Sequence, residues 1–148
     1  MTQLISYSQA SGGTVVIFGL RNPTRGNKTL SCATSGPAQQ YLHVSSYNNV
    51  NQTSDGAAFP YNHGAGGTGN TVSNPVTSAT GDMVVDAGVD SGYNFSAPTG
   101  TILFNDIGGA TRDAAASYNP GSATVTVGWT LANVLAVWAD AAVDVAHQ

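Results

Sequence analysis

Side-chain polarity alternates with a period of two along most of this chain, a pattern that suits half-buried β-strands and not helices. The clearest run is Ala123 to Leu131. Ala123, Val125, Val127, Trp129 and Leu131 share one side, and Thr124, Thr126, Gly128 and Thr130 share the other. Asp82 to Asp90 reads the same way, with Met83, Val85, Ala87 and Val89 expected inward and Asp82, Val84, Asp86, Gly88 and Asp90 outward. A third face is Val137, Ala139, Ala141, Val143 and Val145, opposed by Trp138, Asp140, Ala142 and Asp144.

Weaker alternation predicts further strands over Leu4 to Ser8, Thr14 to Leu20, Thr29 to Thr34, Tyr41 to Tyr47 and Thr101 to Ile107, with a short one at Ala114 to Tyr118. Turn residues separate them. Ala10 to Gly13 reads as a hairpin turn, Asn22 to Asn27 as a second turn, and Asn119-Pro120-Gly121 as a third. Leu131 to Ala136 has some helical character, but the period-two pattern resumes at once, so a loop is expected. Strands at this spacing predict one all-β domain over residues 1–148, an antiparallel two-sheet β-sandwich of jelly-roll or Ig-like type. Residues 51–75 are rich in Gly, Asn and Ser and read as one long loop, a candidate contact surface, or as an irregular connection with an edge strand near Thr71 to Ser73.

Charge narrows the function. Only 8% of residues are charged, against about 25% in ordinary domains, and glutamate is absent. The surface must be solvated by hydroxyls and amides. The four basic residues, Arg21, Arg25, Lys28 and Arg112, make no patch able to neutralise phosphates, and the net charge is -4, so no nucleic-acid partner is expected. No apolar run approaches the roughly 20 residues of a membrane helix, so no membrane partner is expected either. The opening MTQLISYSQASGG lacks the basic and apolar regions of a signal peptide. The single Cys32 excludes an internal disulfide and, lying on the Leu30 side of its run, reads as a small buried hydrophobe.

Enzymes need clustered titratable groups. His43, His63 and His147 are scattered, no nucleophile elbow or phosphate loop is present, and Cys32 has no base beside it. No enzyme activity, metal or cofactor is expected. Asp82, Asp86 and Asp90 share a side at steps of about 13 Å, too far apart for two to chelate one cation, and read as a solubilising outer face. Aromatic residues in or near loops are the candidates for partner or glycan contact: Phe59, Tyr61, Tyr93 and Phe95, with His63 in the glycine-rich stretch. Trp138 falls on the Asp140 side and joins them as exposed or interfacial, whereas Trp129 is expected in the core.

Three stretches carry a resemblance: Asn22 to Ser31 with Ser45 to Thr53, Val76 to Asp86, and Ala116 to Thr130 with Trp138 to Val145. Together they resemble a family of jelly-roll or Ig-like β-sandwich domains in bacteriophage virion proteins and repetitive bacterial surface proteins. Members of that family commonly carry one or two strands upstream of the segment matching Met1 to Ser8. Their absence here leads to two expectations of equal standing: a gap closed by another chain, or a truncated start. The resemblance implies a structural virion protein, a capsid decoration (cement) or other outer virion protein. It would bind the major capsid or tail proteins, form a homo-oligomer and assemble in the host cytoplasm. The alternative is a carbohydrate-binding or adhesion module of a tail fibre or a secreted surface protein.

Overall fold

A computed structural model of the chain describes residues 1–33, 39–106 and 111–148. The fold is an all-β sandwich. In chain order it contains β1 (Thr2–Gln9), β2 (Gly13–Gly19), the short helix α1 (Asp55–Ala58), β3 (Asn62–Thr68), β4 (Thr71–Thr77), β5 (Met83–Asp90), β6 (Phe95–Ser96), β7 (Thr101–Asp106), β8 (Asp113–Pro120), β9 (Thr124–Leu131) and β10 (Val137–Val145). The central sheet runs β3-β10-β5-β8-β7, a second sheet runs β4-β9-β6, and β1-β2 form a separate hairpin. All pairings are antiparallel.

The expected second layer is thus split between the two faces of the central sheet. One face packs against β4-β9-β6, where Val76, Val84, Val125, Val127 and Ala142 meet in one cluster and Val72, Phe95, Ala115, Trp129, Leu131 and Trp138 in another. The other face takes the hairpin, with Val15, Ile5, Tyr7 and Ile17 on Ala139, Ala141, Ala87 and Val89. Strand β10 is covered on both faces, and from Trp138 to Val145 every residue is buried. Its two opposed faces in the sequence are therefore two core faces.

Strand β5 corrects the expected polarity. Val84, Asp86, Gly88 and Asp90 are the fully buried positions, while Met83, Val85, Ala87 and Val89 are only half-buried beneath the hairpin side. Asp86 and Asp90 do not form an outer face: Asp86 lies under β9 and accepts from Trp129, and Asp90 accepts from the Gly92 and Tyr93 N–H groups of the turn that follows it. Asp82, just before the strand, is half-buried and accepts from the His147 N–H (2.8 Å).

The 51–75 stretch is also corrected. It holds α1, all of β3 and most of β4 instead of one loop, and the alternative edge strand near Thr71 to Ser73 is the start of β4, at the edge of its sheet. Glycine concealed β3 because it offers no side chain to alternate. A Cβ at Gly64 or Gly66 would overlap the ring of Tyr7, so the close hairpin dictates glycine at both positions. Helix α1 is capped by Ser54, whose side chain accepts from Ala57 N–H (3.0 Å). Its Asp55 ties β1 to the chain leaving β2, through Thr2 Oγ1 (2.6 Å) and Arg21 Nε (2.5 Å).

The β1–β2 turn, the loop over Leu131 to Ala136 and the β9 faces follow the alternation. Strand β8 is longer than the Ala114 to Tyr118 run. Two predicted strands are not paired. Residues 29–33 and 39–47 carry no strand, Cys32 is exposed and not buried, and Thr34 and Ile107 lie outside the described residues. Alternation reports which side each residue takes, and a strand also needs a neighbouring edge.

Candidate functional site

The predicted contact residues do not make one surface. Phe95 is 1% exposed and stacks edge-on against Trp129, with centroids 5.5 Å apart. Trp138 is 7% exposed and belongs to the same cluster, with Tyr93 packed against it. Phe95 and Trp138 are therefore core residues, not partner contacts, because both lie in the cluster between the central sheet and β4-β9-β6. Phe59 is half-buried at the end of α1, with its ring against Gly19. Tyr61 and His63 are exposed, Tyr61 just before β3 and His63 on it.

His63 does lead into a polar network that the alternation did not reveal. Its Nδ1 meets Asn74 Oδ1 at 2.6 Å, and Asn74 Nδ2 donates to His63 O (3.0 Å) and Asp140 Oδ1 (2.7 Å). Asp86 lies beside Asp140 and accepts from the hydroxyl of Ser117 and from Trp129 Nε1 (2.7 Å). Asn74, Asp86 and Asp140 are fully buried. Burial pushes the Asp86 carboxyl up to about 6. Burial also holds the Asp140 carboxyl well above the usual carboxylate range, reinforced by the negative charge of Asp86. Asp140 Oδ2 receives no hydrogen bond, so the consistent state is a protonated Asp140 whose O–H points to Asp86. Nearby, Asp144 accepts from Ser78 Oγ (2.6 Å), and burial raises its carboxyl too. These groups converge, yet they are sealed between two sheets. The signal in the sequence was Trp129 itself, since a buried indole N–H requires an acceptor.

Among the described residues, no three His, Cys, Asp or Glu side chains gather within reach of one metal ion. Arg21 meets Asp55 at 2.5 Å, and the Thr2 hydroxyl together with Arg21 holds the Asp55 carboxyl below its ordinary range.

The opening in the molecule lies on the hairpin side. Among the described residues, strand β2 pairs with β1 alone. Across from it lie residues 39–47, whose Tyr41 and His43 rings rest on Phe104 (centroids 6.3 and 5.7 Å). Tyr41 is anchored there through its hydroxyl to Arg112 O (2.6 Å). The result is a groove of about 1690 Å³. Its floor is Val85, Ala87, Val89, Ala114, Ala116 and Phe104. Small-molecule pockets are roughly 300–1,000 Å³, so this one is on the scale of a polypeptide segment. Around it Val16, Phe18, Leu20, Leu42 and Val44 are 40%, 50%, 56%, 55% and 66% exposed. Strand β2 is apolar on both sides (Val15 and Ile17, Val16 and Phe18), the pattern of a strand covered on both faces.

No family model, curated protein or solved structure compared with the chain matches it.

Proposed function

We propose that this chain is a structural virion protein, a capsid decoration or other outer component that binds major capsid or tail proteins through its hairpin side. The observation that carries the reading is the exposed apolar set Val16, Phe18, Leu20, Leu42 and Val44 around the groove. Contiguous apolar surface of this kind marks a protein contact. A surface with 8% charged residues is consistent with dense packing on a particle. The converging titratable groups support a binding role over catalysis, since Asp86 and Asp140 are 0% exposed and offer no access to a substrate. With Phe95 and Trp138 in the core, the aromatic platform that the glycan-binding alternative needs is reduced to Tyr61 and half-buried Phe59 and Tyr93.

The test is to purify particles and quantify this chain. A fixed, high copy number is expected, and Phe18→Asp should lower incorporation at least tenfold without changing the melting temperature of the free chain. Absence of the chain from particles, or unaltered incorporation of the variant, refutes the reading.

A further inference from the structure

The hairpin layer is one strand short. Among the described residues, the second edge of β2 presents backbone N–H and C=O groups with no strand partner, beside Val85, Ala87, Val89, Ala114 and Ala116. An apolar floor beside an open edge is a template for strand addition.

The chain leaving β2 carries a segment suited to that place. Residues 20–27 contain Asn22 (φ 42°) and Gly26 (φ 106°), both in the left-handed region that reverses a chain. Residues 28–33 follow, all exposed, already lining the groove, and without a strand partner. Their side chains alternate, with Leu30 and Cys32 on one side and Thr29, Ser31 and Ala33 on the other, and Lys28 is the one charge among them.

We propose that Lys28–Ala33 is a strap that seats in the groove as a third strand, antiparallel to β2, with Leu30 and Cys32 down on the floor. The register follows from the faces. Directly opposed residues of an antiparallel pair share a face. Val15 and Ile17 face the central sheet, whereas Val16 and Phe18 face away. Downward Leu30 and Cys32 must therefore oppose Ile17 and Val15, and Lys28 falls opposite Gly19 at the open end. Seating satisfies the β2 edge, buries Leu30 and Cys32, and exposes the hydroxyls of Thr29 and Ser31. It leaves Val16, Phe18, Leu42 and Val44 on the solvent side. The hairpin side then presents a continuous apolar sheet face instead of a cleft. Seating is a rearrangement from the exposed, unpaired course that residues 28–33 take in the structure, and it needs no partner.

Cys32 makes the test direct. Opposed residues lie about 4.5–5.5 Å apart at Cα, within the range a disulfide spans. Under mild oxidation Val15→Cys should lose both thiols within the monomer, while Val16→Cys, on the opposite face, should keep them. Free thiols in Val15→Cys overturn the proposal. So does a chain-to-chain crosslink, which would place the segment on a second copy. Equal closure in Val16→Cys also overturns it, by turning Leu30 outward. Hydrogen exchange on the unaltered chain provides a second reading should Val15→Cys fail to fold. Alternate amides within residues 29–33, those turned to β2, should exchange at least a hundredfold slower than an unstructured chain, and unprotected rates at all five refute the strap. These measurements use no particle, so their failure is separable from failure of the binding role.

Discussion

At the scale of single residues, the buried carboxyl pair is the feature with the sharpest consequences. Asp140 and Asp86 lie side by side in the core but face different partners. Asp140 Oδ1 accepts from Asn74, whereas both oxygens of Asp86 accept, from Ser117 and Trp129. Asp140→Asn keeps the acceptor and turns an amide N–H toward Asp86, reproducing the protonated acid. This variant should match or exceed the parent in stability at pH 8, read by urea unfolding. Asp86→Asn instead sets an amide donor against donor groups and should cost about 1–3 kcal/mol. A larger loss in Asp140→Asn than in Asp86→Asn would refute the protonation assignment. Trp129 was legible as core because its strand alternates cleanly. Asp86 was misread because a carboxylate defaults to solvent, and only the indole and hydroxyl laid over it reverse that preference.

Among the elements, β3 shows how packing overrides propensity. Asn62 to Thr68 contains three glycines in seven residues and no β-branched residue except Thr68. It is a strand because β10 pairs along its whole length and Tyr7 of the hairpin lies on Gly64 and Gly66. Gly64→Ala should therefore destabilise the chain by about 1–3 kcal/mol through overpacking. The same substitution in a Tyr7→Ala background should cost much less, and the double-mutant cycle reads that coupling. Equal costs in both backgrounds would remove Tyr7 as the reason for glycine. The opposite lesson comes from residues 41–47. Their alternation sends Tyr41 and His43 onto Phe104 and Leu42 and Val44 to solvent, as for a strand, without backbone pairing.

For the whole molecule, the buried acids set how stability depends on pH. Burial raises the carboxyls of Asp86, Asp90, Asp140 and Asp144, and the Thr2 and Arg21 hydrogen bonds lower that of Asp55. An unfolded aspartate titrates near 3.9. Between that value and the raised native ones the folded chain holds protons that the unfolded chain has lost, so stability falls as pH rises. For Asp86, raised from 3.8 to about 6, the contribution lost is on the order of 3 kcal/mol. Asp55 acts oppositely, adding stability above the unfolded value and losing it in acid, but it is exposed and its effect is screened. Chemical denaturation should show stability falling from about pH 4 to about pH 6, the interval between the unfolded value and that of native Asp86, with a shallower fall in Asp140→Asn. A flat or rising profile over that window would mean the acid pair is ionised.

The sequence alone determined that the chain is built of strands, where most of its turns lie, and that β9 buries its Trp129 side. These are local properties, set by alternation and by residues that reverse the backbone. Tertiary structure alone decided which side of β5 is the interior, that a glycine run is a strand, and that Phe95 and Trp138 are core. A strand has two faces of nearly equal claim when both carry small or apolar residues. What is laid on each face, and which donors it brings, belongs to the packing of distant segments.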